Sequence, residues 1–154
     1  MTSASVLVRK PNFGRAWLFL CLAFCAHVTD EAISSFLSVY NPTVLAIRAR
    51  VSWFPMPTFD FWPWLTALIV ANILFLALTP YAYRNARWLR PIAYVYAAVH
   101  FLNGTGHTLG TIFGSPVTEV HFPRPMPGFY SSPLLLAASV YLFFMLHRSV
   151  YTDR

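Results

Sequence analysis

The stretch CAHVTDEAISS, residues 25–35, places a histidine and two acids side by side directly after the apolar run AWLFLCLAF. On a helix, residues three and four apart share a face, so His27, Asp30, Glu31 and Ser34 form one stripe. A second stripe runs through Tyr96, His100, Asn103, His107 and Thr111, also within an apolar segment. A third apolar segment carries one strongly polar interior residue, Asn72. Histidine and carboxylate at i,i+4 can grip one metal ion from a single helix, and a histidine from a facing helix can complete the set. Two histidines and a carboxylate with open positions suit Fe(II), and three nitrogens with a water suit zinc. The expected ligands are His27, Glu31, His100 and His107. The expected catalytic groups are His27, Asp30, Glu31 and His107, with Glu31 as base and Asn72 and Asn103 in support.

These groups must be carried by membrane-spanning elements. The chain has 154 residues, of which 57% are hydrophobic, 18% aromatic and only 10% charged. Soluble domains average roughly 25% charged residues. Four apolar segments, about 16–40, 61–83, 91–113 and 130–150, each approach the ~20 residues that a helix needs to cross about 30 Å of hydrocarbon. A helix stopping before the acids would run only from Ala16 to Thr29, about 21 Å. The first span is therefore expected to carry Asp30 and Glu31 into the membrane and to end near Tyr40–Asn41–Pro42. At 1.5 Å per residue, His27, Glu31, His100 and His107 lie at about 17, 23, 14 and 24 Å from the starts of their spans. Asn72 lies about 16 Å from the start of its own, so the polar residues are expected at matching depth. Intramembrane ionisable groups are costly and generally mark function.

The fold expected is all-α, a single domain forming a four-transmembrane-helix bundle. PTVLAIRARVSW is too short and too charged to span and reads as an interfacial segment between the first two helices. The formal charge of +6 does not point to nucleic acid, because the arginines lie between apolar runs. Arg9, Lys10, Arg15, Arg84, Arg87, Arg90, Arg148 and Arg154 fall on one side, and Arg48, Arg50 and Arg124 on the other. The positive-inside rule then puts both termini in the cytoplasm. Trp53, Trp62, Trp64 and Trp88 fall at expected interfaces. No small-x-small cleavage site follows the first apolar run, so it is not read as a signal peptide. Cys21 and Cys25, one turn apart, are placed for packing rather than for a disulfide. Gly106, Gly110 and Gly114 form a small-residue ladder suited to close helix packing. His121, Glu119 and His147 lie at the ends of the spans, where water reaches them.

His27-Val-Thr-Asp-Glu31 resembles the HXXEE motif that names a family of small bacterial membrane proteins, with Asp30 in place of the first glutamate. Asn103-Gly-Thr-Gly-His107 resembles the same family's NAxxH motif, with Gly104 for alanine. Pro127-Gly128, followed by Ser131 or Ser132, resembles its PG-x-x-T/S segment. The resemblance implies the four-helix architecture, a bacterial inner-membrane location and a site at these residues, and it names no reaction. Three functions are open on the residues. The first is a metal-dependent enzyme, with Fe or Zn, acting on a lipidic small molecule that enters from the membrane lipids. The second is a metal-free acid–base enzyme of isomerase type with a sterol- or isoprenoid-like substrate. The third is non-enzymatic, a binding or accessory subunit or a small transporter; four helices are few for a transport route, so transport would need homo- or hetero-oligomerisation.

Overall fold

A computed structural model of the chain describes residues 13–114 and 120–151, with side chains up to residue 149. Arg9, Lys10, Glu119 and Arg154 lie outside the described residues. The described chain is all-helical. In order come α1 (Gly14–Ile33), α2 (Leu37–Arg50), α3 (Phe61–Ala77), α4 (Thr79–Tyr83), α5 (Leu89–Phe113) and α6 (Ser132–Tyr151). Only Leu78 separates α3 from α4, where Pro80 interrupts the regular bonding, so Phe61–Tyr83 is in effect one helix. Two helices are long and apolar enough to cross a membrane, Gly14–Ile33 and Phe61–Tyr83. The 25-residue α5 and the 20-residue α6 flank them.

The first span differs from the expectation. It carries both acids, but it stops at Ile33 rather than near Tyr40. Ser35 adopts a left-handed backbone with φ 60°, and the Phe36 amide reaches back to the Glu31 carbonyl at 3.0 Å. That is the closing pattern of a helix C-terminus, usually built on glycine. Here the Ser34 hydroxyl helps by donating to the Asp30 carbonyl. Pro42, expected to end the first span, lies inside α2. The α2 helix is tied to the following strap: Asn41 bonds the Phe59 carbonyl at 2.8 Å and its amide at 3.0 Å, and the Tyr40 hydroxyl donates to the Pro57 carbonyl at 2.9 Å.

The α1 helix is the hub, packing on α3, α4, α5 and α6. Its start lies against the end of α4, where Gly14 sits on Tyr83. Its end meets the start of α6, where Asp30 binds Ser131. The long helices therefore alternate in direction. The core fills the half of the bundle around the start of α1. Trp17 is fully buried, donates its indole N–H to the Phe75 carbonyl at 3.0 Å, and packs on Tyr96 with ring centroids 5.2 Å apart. Phe75 and Tyr96 stack at 4.1 Å, joining α3 to α5 across α1.

The glycines of α5 also depart from the expected ladder. Gly106 faces open space, Gly110 packs on Met126 and Phe122 of the loop before α6, and Gly114 caps the helix with φ 75°. The close helix approach falls instead on Gly104, where an added Cβ would come within 2.9 Å of Leu136 on α6. Of the four tryptophans expected at interfaces, Trp53, Trp62 and Trp88 are exposed, whereas Trp64 turns inward.

Candidate metal centre

The i,i+4 spacing on α1 stacks His27 and Glu31 on one face, and α5 brings His107 opposite. All three are buried, with exposures of 0, 4 and 2%. Glu31 Oε1 lies 3.0 Å from His107 Nε2 and 3.4 Å from His27 Nε2. The two imidazole rings meet edge to face at 4.8 Å. Three donor atoms, each within 4.8 Å of the others, form a group that could hold a metal ion. The shorter separations match the edges of a coordination shell whose ligands lie about 2.0–2.2 Å from the ion.

The surroundings prepare His27 for this role. Ser131 donates both its backbone N–H, at 2.9 Å, and its hydroxyl, at 2.8 Å, to Asp30 Oδ2. The carboxylate oxygen accepts both, so the hydroxyl hydrogen is directed at Asp30. Ser131 Oγ is then left to accept from His27 Nδ1–H at 2.8 Å. This network assigns the imidazole tautomer with its bare nitrogen at Nε2. That nitrogen is buried and has no hydrogen-bond partner. It faces the Glu31 carboxylate oxygen at 3.4 Å, a gap that a proton on the ring or a bound metal ion can bridge. An outer hydrogen bond that fixes the ring of a metal-binding histidine is a general feature of metal sites.

The loop before α6 closes the group from above. Gly128 has φ 85°, and a Cβ there would lie 2.7 Å from His107 Cε1 and 3.1 Å from Glu31 Cγ. Only a glycine lets the backbone press so closely on the ring. The loop is pinned at both sides. The Gly128 N–H donates to Ser34 Oγ at 3.2 Å, and its carbonyl accepts from Ser132 Oγ at 2.7 Å. The Met126 N–H bonds Thr111 Oγ1 at 3.0 Å, one turn beyond His107.

The remaining residues named from the sequence lie around this group rather than in it. Asp30 stands on its flank and acts through Ser131. His100 is buried between Phe24 and Tyr96, with ring centroids 4.3 and 4.6 Å away. It lines, with Asn103 and Glu31, a cavity of about 610 Å³ between α3 and α5. Asn72 of α3 is buried against a different face of α1, in a cavity of about 440 Å³ with Cys25, Val28 and Thr29. The expected convergence of three helices at one depth thus reduces to α1 and α5, joined by the loop before α6. The level is also different, because α1 ends two residues beyond Glu31 and the group sits near that end of the helix. His121 and His147 are exposed, as expected.

Ser34 lay on the first stripe, and Gly128 and Ser131 in the PG-x-x-T/S-like segment, but none of the three was given a chemical role from the sequence. The physical signal for Ser131 was that a buried histidine ligand needs a partner for its second nitrogen. Replacing Ser131 with alanine removes the acceptor for His27 Nδ1 and is expected to weaken metal binding about 10–100-fold. Titration against a competing chelator measures this, with Ser131→Thr restoring most of the affinity. An unchanged affinity in Ser131→Ala would remove the relay from the account. Comparison of the chain with protein-family models, with curated proteins and with solved structures finds no match in any of the three.

Proposed function

We propose that the chain is a metal-dependent enzyme of the membrane acting on a lipidic substrate, with His27, Glu31 and His107 holding Fe(II) or Zn(II). The observation that carries this is the bare, unpartnered Nε2 of His27 facing the carboxylate that His107 also faces, at the edge of an apolar cavity. Two imidazoles and one carboxylate leave positions open for substrate or water. An ion there would supply Lewis acidity and an activated oxygen ligand. The chain's own groups do the rest. Ser131 and Asp30 hold the His27 ring. Asn103 and His100 orient a polar group in the cavity, and Phe24, Phe36 and Tyr96 keep water from it.

The same reading gives a four-span bundle with both termini in the cytoplasm of a bacterial inner membrane. In its support, Arg15 at the start of α1, Arg84 and Arg87 between α4 and α5, and Arg148 in the last turn of α6 all lie at one end of the alternating helices. It also places the chain with the HXXEE proteins that its motifs resemble. A metal-free acid–base enzyme on a sterol- or isoprenoid-like substrate is the second reading, favoured by the direct 3.0 Å contact of His107 with Glu31.

The test is lipid profiling of membranes holding the wild type or Glu31→Gln, each with and without chelator. A product made only by the metal-replete wild type is the expected result. A product that survives chelation selects the acid–base reading, and no difference among the membranes rejects both.

A further inference from the structure

We infer that the cavity between α3 and α5 takes a slender lipid with an uncharged oxygen head group, an alcohol, aldehyde or ether, and excludes phospholipids and ionised fatty acids. The inference deepens the proposed function and rests on its reading of the site as one that handles lipid. The wall extends along α5 from Pro91 to Asn103, about 18 Å at 1.5 Å per residue. Its polar groups gather toward one end. Glu31 and Asn103 stand there, with His100 one turn below, whereas Ile92, Val95 and Phe75 line the other end. An occupant must therefore be apolar along most of its length and polar at one tip.

Charge decides which tip. Among the described residues, neither Lys nor Arg lines the cavity, and Glu31 is its one carboxylate. A phosphate or carboxylate head would enter a low-dielectric slot with no basic side chain to meet it, and in the metal-free protein it would also meet the Glu31 carboxylate. Burying an unpaired charge costs far more than burying a hydroxyl that finds a hydrogen bond. A hydroxyl or carbonyl oxygen has partners here. His100 Nδ1 is buried and unpartnered, and the Asn103 amide both donates and accepts. The volume of about 610 Å³ lies in the range of small-molecule sites, roughly 300–1,000 Å³, and suits one chain rather than two.

The experiment is equilibrium binding of tritiated tetradecanol to the full-length protein in detergent, after chelator treatment, so that the result stands whether or not a metal belongs to the site. Unlabelled tetradecanol, myristate and phosphatidylglycerol compete. The expected result is saturable binding, with myristate and phosphatidylglycerol at least tenfold weaker than the alcohol. Val99→Trp and Ile92→Trp, which fill the slot from its two ends, each lower tetradecanol binding at least tenfold. Glu31→Gln narrows the gap between myristate and tetradecanol, because the excluding charge is gone. Charged competitors equal to the alcohol in the wild type, or both tryptophan variants binding as the wild type does, would overturn the inference. Failure of the metal reading appears separately, as protein that carries no metal before the chelator step and still binds the alcohol.

Discussion

Glu31→Gln leaves the purified protein without transition metal. One oxygen, Glu31 Oε1, faces both imidazole nitrogens, so it is the shared corner of the donor group. Glutamine keeps the shape and removes the charge that offsets a divalent ion. It also places an amide nitrogen, a donor rather than a ligand, in competition for the same position. The loss exceeds the roughly 10–100-fold that outer hydrogen bonds control, because the substitution is in the ligand itself. Elemental analysis after extensive dialysis reads it as a fall from about one metal per chain to less than about one tenth. Because glutamine is nearly isosteric, the helical circular dichroism stays that of the wild type, which separates loss of the ion from loss of the fold. A variant that kept the wild-type metal content would show that the ion is held elsewhere.

Gly128→Ala breaks the same site from the other side. Two costs coincide at this residue. The left-handed backbone at φ 85° strains any side chain by about 1–2 kcal/mol. The new methyl would also sit 2.7 Å from His107 Cε1 and 2.9 Å from its Nδ1, inside contact distance. Either the loop lifts, taking Ser131 from His27, or His107 turns away from Glu31. Both movements dismantle the donor group, so metal content falls as in Glu31→Gln. In contrast with that variant, stability falls too, by about 1–3 kcal/mol from overpacking. Thermal unfolding in detergent checks this against Gly106→Ala. At Gly106 an added methyl meets nothing within 4 Å, and alanine is the better helix former by about 1 kcal/mol. If Gly128→Ala bound metal and unfolded as Gly106→Ala does, the loop would have no part in shaping the site.

The two stripes were legible because their physics is local. The i,i+4 spacing of His27 and Glu31, and the placing of His107 on a helix parallel to theirs, follow from period and span length alone. The helical class was legible for the same reason. What periodicity does not contain is where a helix stops when no glycine or proline marks it. The end of α1 is made by Ser35 in a left-handed conformation, so the reading ran on to Pro42, which α2 absorbs. Azimuth was the second blind spot. Asn72 and His100 lie in apolar segments at plausible depths, yet a rotation of the helix decides which neighbour each meets, and they face other cavities or rings. The loop before α6 was legible only as a motif, Pro127-Gly128 followed by Ser131, and not as geometry. Its contribution depends on Gly128 pressing a backbone against His107 and on Ser131 bridging Asp30 to His27, the latter contacts reaching across 101 and 104 residues of chain. Spacing on one helix reports nothing at that range.

The most direct measurement is X-ray absorption at the metal edge of the full-length protein, purified without chelator. The expected result is about one ion per chain, bound only by nitrogen and oxygen, with the outer-shell scattering of two imidazoles, and the loss of one imidazole in His107→Ala. A protein that carries no ion after growth and reconstitution with iron or zinc would contradict it. So would an ion with sulfur from Cys21 or Cys25 in its shell.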